Sequence, residues 1–567
     1  MHSLHRSLAD YDMAMLRALA RNRGVTLTTN RRSEAAEQVA AGLLDPLSVR
    51  VALARLSPGG RQALDRLLAA GGRMRAPQFA RQFGQVRPIG PGRLEREALW
   101  QEPANPAEEL LYAGLIFRAF FDDVGGPGEF VFVPDDLRPL LPQPQAGPPA
   151  FAVEVVPAPA GYHDEGPRLV HDLFLYLVYL QTHDVRPYAD GRLGRRDLEL
   201  LGRRLADADE RRFAFLQHLA GRLAFVARQG PFLRLQAAPV KSWLTAPPAR
   251  QLATLQEAWR DDPTWNDLCR VPGLVCDERT GWHLRYDPRP VRRALLALLA
   301  RCPGEAWWSL ASFGAAVKEA HPDFQRPDGD YTSWYLRDAA GNYLSGFESW
   351  DAVEGALIAD LLTGVLRWLG VVAVATGAAG PLCRLTEAGA RFLGLTAEES
   401  AAPTSPPILV HPDLGVELPP PANLYVRFQL ERFADLESES PCRYRLTVGG
   451  LGRALGRGLR VEQIVAFLRQ ASAGALPAPV VAQLQTWAGR FGQVRLEEVG
   501  LLQVKEERVL KELAILPETR PFIGKRLSPT AALVKKEDFS RLRQALRDLG
   551  FLPPPADGVP GDLTECG

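Results

Sequence analysis

The sequence predicts a mainly α-helical chain with small β-hairpins, an α+β class assembled from tandem modules. Two patterns predict it. Amphipathic stretches with helical spacing recur along the chain, and apolar strand pairs around Gly-rich turns follow them, as in "IFRAFFDDVGGPGEFVFVP". Length sets the scale, because 567 residues suffice for about three to five domains.

The first element is a helical hairpin over residues 1–45. Leu8, Met15, Leu16 and Leu19 have helical spacing, and Gly24 stops that helix. "TTNRRSEAAEQVAAGLL" opens a second helix over 34–43, with Ser33 as its expected cap. Helix, glycine turn, basic turn and helix together resemble a SAP motif, a small DNA-binding hairpin. Arg31 and Arg32 stand where that motif presents its basic residues.

Residues 46–142 form the next module, of three helices and a hairpin. "SPGGRQALDRLLAAGG" reads as helix one, started by Ser57 and Pro58 and stopped by Gly71 and Gly72. "APQFARQFG" is a short second helix and "GPGRLEREALW" opens a third. This order suits a winged helix, a helix-turn-helix variant. Arg73, Arg75, Arg81, Arg87 and Arg93 are expected on or near the second and third helices, where they can meet phosphates. Winged helices also serve protein contacts, and that alternative stays open.

The pattern recurs. After a Pro-, Ala- and Gly-rich linker at 143–166, a second candidate winged helix spans 167–243. A Trp-rich connector covers 244–290, and a third candidate spans 291–396. Trp243, Trp259, Trp265 and Trp282 read as core anchors rather than stacking platforms. No fixed period links the modules, so they form a tandem rather than a solenoid. A linker at 397–406, a domain at 407–508, a strand–helix extension at 509–557 and a tail at 558–567 complete the expected division.

Composition narrows the class. The chain is 46% hydrophobic and 23% charged, ordinary for globular protein, with a net charge of +1. The charge is uneven: residues 1–100 hold 16 Arg against 8 Asp or Glu. A basic end on a neutral chain points to an anionic partner such as nucleic acid, or to a solvated Arg-rich face. The six cysteines form no CxxC pair and no His cluster accompanies them. That argues against a zinc site and a disulfide scaffold, so a reducing, cytoplasmic setting is expected. "MHSLHRSLADYDMAML" has charges where a signal peptide needs an apolar core. "ALIADLLTGVLRWLGVVAVA" is broken by Asp360 and Arg367, and reads as a buried helix followed by a strand.

Catalytic motifs are missing from the 567 residues. No G-x-x-x-x-G-K-[ST] loop cradles phosphate: "GGLGRALGRG" lacks the Lys, and Gly524-Lys525 lacks both the upstream Gly and the hydroxyl residue. There is no G-x-S-x-G elbow and no HExxH. Asp122-Asp123 and Asp135-Asp136 read as turn and helix-start residues. The expectation is a non-enzymatic protein with no cofactor and no metal.

One stretch invites a site reading. "PILVHPDLGVELPPP" puts His411 and Asp413 two residues apart in an apolar run. "PILV" and "GVEL" are β-like, and the His-Pro-Asp-Leu-Gly between them is a turn in which Asp413 bonds its own backbone. "NLYVRFQLERFADLES" then reads as an amphipathic helix, "CRYRLT" as a strand, and "TVGGLGRALGRG" as a helix capped by Thr447. "VEQIVAFLRQAS" and "PAPVVAQLQTWAGRFG" read as further helices, and "QVRLEEVGLLQVK" as a closing hairpin. In this order, from "HPDLGVEL" through "YRLT" and "IVAFLRQASAGALP" to "LQTWAGRFGQVRLEE", residues 407–508 resemble the N-terminal domain of the XPB/Ssl2 helicase family.

The resemblance implies a helicase-associated domain without the motor. Winged helices followed by an XPB-like domain are similar to the non-enzymatic subunit that clamps the helicase in the transcription/repair complex. It implies DNA or an XPB-like helicase as partner, docked by a domain that folds alone and presents Phe428 and Phe433. A protein-only scaffold for a repair or transcription complex is the alternative.

Overall fold

The computed structural model describes residues 3–123, 126–143, 151–162, 165–205, 209–277, 281, 286–397, 405–494 and 499–552. About 49% of the described residues are helix and about 16% are strand, the latter in small sheets. The contacts divide the chain into two units: Met1–Pro406 with Leu418–Arg432, and Pro407–Glu417 with Phe433–Gly567. This grouping differs from the expected division, because residues 418–432 leave the domain anticipated at 407–508 and join the first unit.

Local signals explain the start of the first unit. Helix Met13–Arg23 is capped by Asp12, whose carboxylate accepts the Met15 N–H, and ends at Gly24 with φ 70°. Such a left-handed C-terminal residue favours glycine. The next helix, Arg32–Leu43, starts earlier than anticipated. Arg31 is at its N-cap without a side-chain hydrogen bond, and Ser33 lies inside the first turn. Helix Pro58–Ala69 is capped as expected by Ser57, whose hydroxyl accepts the Gly60 N–H.

Beyond Ala69 the chain departs from the three-helix expectation. Gly71 and Gly72, with φ 84° and 81°, turn the chain into a short strand, Arg73–Arg75. Helices Ala76–Phe83, Pro91–Glu97 and Pro106–Tyr112 come next, the last not anticipated. Strands Phe117–Asp123 and Gly126–Phe132 form the hairpin, and Arg73–Arg75 pairs antiparallel with its second strand. Leu64, Leu67, Phe79, Leu110 and Val131 fill the core beneath.

A similar order occurs once more, with strands Leu336–Asp338 and Tyr343–Leu344 inserted between its later helices. Helix Pro288–Leu299, strand Trp307–Ser309, helix Leu310–Ala320, helix Ala356–Thr363 and hairpin Val372–Gly377/Gly380–Leu385 follow one another, and the first strand pairs with the last. The apolar run at 356–375 is thus helix followed by strand, and no helix among the described residues is long and apolar enough to cross a membrane. Between these modules, helices Gly166–Thr182, Arg195–Gly202 and Glu210–Arg222 precede hairpin Val226–Gln229/Phe232–Leu235. The expected linker at 143–166 is not bare chain throughout: Val155–Val156 adds a fourth strand beside Trp307–Ser309. The residues 144–150 of that linker, most of the linker at 397–406 and the tail at 558–567 lie outside the described residues.

Trp243, Trp259 and Trp265 are buried in one large core, as expected, while Trp282 lies outside the described residues. The disulfide expectation is corrected. Cys269 and Cys276 are bonded, with Cα atoms 5.5 Å apart, because the turn through Gly273 doubles the chain back. Cys302, Cys383 and Cys442 are buried.

In the second unit the His411 turn is architectural. The His411 N–H donates to the Gly415 carbonyl at 2.8 Å, and Asp413 accepts the Gly415 N–H at 3.2 Å. The sheet runs in the order Leu409–Val410, Gly415–Leu418, Cys442–Leu446, Ala434–Glu439. Thr447 caps helix Val448–Gly456 as expected. The helix expected over 423–438 ends at Leu430, and 434–439 is a strand. The second strand of the expected closing hairpin is Val499–Gln503, which pairs with Ala531–Lys535, itself paired with Ile523–Ser528. Residues 495–498 lie outside the described residues.

One buried pair makes the first unit's stability depend on pH. Arg326 and Glu354, 3% and 0% exposed, meet at 2.7 Å. Burial pushes the Glu354 carboxyl up to about 7 although Arg326 pulls it down. The folded state therefore holds a proton that the unfolded chain releases near the ordinary value of 4.5. This contribution is complete below pH 4.5 and is lost as pH rises toward 7. Urea unfolding at pH 5, 6 and 7 should show wild type losing stability relative to Glu354→Gln, by at most about 1.4 kcal/mol per pH unit. A difference that grows in the other direction sinks this account.

Candidate nucleic-acid interface

The arginines of the basic end have unequal surroundings. Arg31 is 82% exposed and pairs with Glu34 at 3.2 Å. Arg32 is exposed on the first turn of its helix. Arg93 is exposed and pairs with Glu97 at 2.9 Å, four residues on. That pairing holds the Glu97 carboxyl below its usual range.

Arg73 and Arg75 are not on helices. They share one face of the edge strand over an aromatic bed. Arg73 lies 5.9 Å from the rings of Phe121 and Phe130, and Arg75 is buried 5.0 Å from Phe130. Cations over ring faces are attracted by the ring quadrupole.

Arg81 and Arg87 hold the module together. Arg81 pairs with Asp323 at 2.7 Å, both largely buried, and its guanidinium stands 4.5 Å from Phe347 and 5.2 Å from Tyr331. Arg87 donates to both oxygens of Glu108, at 2.7 and 2.6 Å. Burial opposes ionisation of Glu108, but the hydrogen bonds from Arg87 and from the Ala104 and Arg87 N–H groups outweigh it and hold the carboxyl below its usual range. These two arginines therefore spend their fork geometry on internal carboxylates. Arg23, not singled out from sequence, is similar: it donates to Ser48, Ala113 and Leu43, and burial pushes it down to about 10.

Three further arginines, Arg21, Arg55 and Arg61, are singled out by no sequence signal. Arg55 donates to the Asn22 carbonyl at 3.5 Å, next to Arg21, and Arg61 donates to the Ala54 carbonyl at 3.1 Å, next to Arg55. All three are exposed, and none has a carboxylate partner among the described residues. Arg21 also stands 5.7 Å from the Trp100 ring. No local motif announces these three, because exposure and the lack of a carboxylate partner are set by the fold. An exposed guanidinium without a carboxylate partner can take a phosphate at lower cost than one already paired.

The residues expected to dock a partner are placed differently. Phe428, on helix Leu424–Leu430, is 5% exposed in the core of the first unit, with that helix against Gly166–Thr182 and Ala237–Thr245. Phe433 is 3% exposed in the second unit, edge-on to Phe467 at 6.0 Å. For either ring to meet a partner, it would have to leave a packed position. Among the described residues no group of His, Cys, Asp or Glu is arranged to hold a metal ion.

Residues 408–528 match the family described as Helicase conserved C-terminal domain. The "DNA 3'-5' helicase XPB" of Kineococcus radiotolerans is 32% identical over 181 residues, which is 29% of this chain and 32% of that protein. The "DNA 3'-5' helicase XPB" of Mycobacterium tuberculosis is 29% identical over 166 residues, 28% of this chain and 30% of that protein. The chain spans about a third of the length of the curated relatives it matches. A relation to helicases, expected from the residues after Pro407, is thereby supported. The matched segment continues past the anticipated end at 508 and takes in strand Ile523–Ser528.

The placements separate structural from available arginines. Arg81→Ala should destabilise the full chain by on the order of 1–3 kcal/mol, read as a lower urea midpoint, because Asp323 loses its cationic partner. Arg32→Ala should change stability by less than about 0.5 kcal/mol. Equal midpoints for the two variants, read by tryptophan fluorescence, would contradict the assignment.

Proposed function

We propose that this protein is a helicase-related accessory factor that binds DNA without sequence preference and engages a helicase or DNA through residues 408–528. The observation that carries the reading is a helicase-domain match in a 567-residue sequence with no phosphate-cradling loop. The two modules in which a helix, a short strand and further helices precede a hairpin, with the first strand paired to the last, support a winged-helix reading. The middle module supports it too, since the Leu233 N–H donates to the Val185 carbonyl at 3.0 Å where a short first strand would pair.

DNA contact falls to the exposed cations of the basic end: Arg31, Arg32 and Arg73, together with Arg21, Arg55 and Arg61. Arg75, Arg81 and Arg87 drop to supporting roles because burial or internal pairing occupies them. Docking to a helicase falls to surface residues of the 408–528 segment rather than to Phe428 and Phe433. A protein-only scaffold is the second reading, and the internal pairing of Arg81 and Arg87 is what favours it.

A titration distinguishes the two. Contacts to phosphates make log K fall with log salt by about 0.9 per contact, so four to six contacts give a slope of roughly −4 to −5. Arg31→Ala/Arg32→Ala, and separately Arg21→Ala/Arg55→Ala/Arg61→Ala, should each flatten that slope by about one to two units and weaken all duplex sequences alike. His411→Ala should leave binding unchanged. Fluorescence anisotropy of the full chain at several salt concentrations reads this, and absence of binding at low salt leaves the scaffold reading.

The missing phosphate loop gives an independent expectation. The purified chain should not hydrolyse ATP, with or without DNA. DNA-stimulated ATPase activity that follows the protein through successive purification steps would overturn the accessory reading.

A further inference from the structure

The first unit contains a half-open cleft of about 1100 Å³, at the upper end for sites that take small organic ligands. Helices Arg195–Gly202 and Glu210–Arg222 form one wall, and the 3-10 turn Leu268–Arg270 lies on the other side. Leu201, Phe213, Val365 and Trp368 make much of the lining apolar, and Tyr188 stands 58% exposed among the lining residues.

Four arginines line this cleft, and their partners separate them. Arg192 is held by Asp190 at 2.6 Å and Arg195 by Glu199 at 2.9 Å. Arg211 reaches both oxygens of Asp360 at 2.7 Å. Arg270 has no carboxylate partner among the described residues. Its guanidinium lies 3.5 Å over the Trp265 ring. The nearby Asp267 is already held by Arg292 at 2.7 Å. Burial pulls the Arg270 pKa down, Asp267 offsets this only in part, and Arg211 adds to it. Trp265 is 4% exposed and cannot move aside, so it backs one face of the guanidinium while Arg270 itself stays exposed. The result is a fixed cationic plane, ion-paired to no carboxylate among the described residues and only partly offset by Asp267, on a partly apolar cleft with an exposed tyrosine.

A flat cation backed by an aromatic ring can stack a base on its outer face and donate N–H groups to a phosphate. We propose that this cleft binds a segment of unpaired nucleic acid, with Arg270 as the stacking plane and phosphate donor and Tyr188 as a second stacking surface. The inference rests on the nucleic-acid reading above. It assigns unpaired strand to a different part of the first unit from the duplex-binding arginines, so the two can fail separately.

The test uses the full chain with labelled oligo(dT) and a labelled duplex as probes, and dTMP as a free-nucleotide competitor. Arg270→Ala and Tyr188→Ala should each weaken oligo(dT) about tenfold, the loss expected for one stacked base, and leave the duplex unchanged. Arg31→Ala/Arg32→Ala should do the reverse. Both cleft residues are exposed, so thermal midpoints should match wild type; if one variant unfolds, the other still reads the cleft. Wild-type affinity for oligo(dT) in both cleft variants overturns the proposal, and so does saturable dTMP binding without oligo(dT) binding. Loss of duplex binding in Arg31→Ala/Arg32→Ala with oligo(dT) binding intact supports it, and loss of both probes in every variant overturns it.

Discussion

Arg292 organises the larger unit. Its side chain is 1% exposed and gathers four partners: the Asp267 carboxylate at 2.7 Å and the carbonyls of Trp259, Asp262 and Trp265. A guanidinium taken out of water is costly unless its donors are satisfied. Here the loop after helix Pro248–Arg260 bends around it to supply acceptors. Burial pushes the Asp267 carboxyl up while Arg292 pulls it down, so neither charge is tolerable without the other. The bent loop sets Trp265 and Arg270 in place, and the ends of two core helices meet there. Arg212 with Asp172 is a second such pair in the same core, 2% and 0% exposed.

Local chemistry was legible in the sequence, and long-range chemistry was not. Asp413, Ser57, Thr447 and Gly24 act on backbone within three or four residues, so their roles could be read from neighbours alone. Strand Arg73–Arg75 escaped because three residues carry no periodicity, and its partner is more than fifty residues away. The helix expected to continue through 438 was cut at Leu430 because residues 434–439 find a strand partner in Cys442–Leu446. Burial of Phe428 depends on helices that start near residues 166 and 237, which nothing near 428 reveals.

The candidate interface shows the same division. Counting charges picks out a basic end, but a count cannot tell an exposed arginine from one committed to an internal carboxylate. Arg81 meets a carboxylate 242 positions away, and Arg87 one 21 positions away. The setting of Arg270 likewise depends on a loop bent around Arg292, which lies more than twenty positions further on. Cys269 and Cys276 teach the same lesson in another form. Their spacing of seven fits no motif, yet one turn suffices to bring them together.

The return of residues 418–432 to the first unit also bears on synthesis. Domains generally fold in order as they leave the ribosome, the N-terminal one first. Here the leading unit lacks the helix Leu424–Leu430 until the chain has been made past its second visit to that unit. Until then the surface that receives Phe428 stays open on the nascent chain. Translation stalled or terminated near residue 417 would release a protein with nearly all of its first unit and an unfilled apolar seam, the kind of species that chaperones retain.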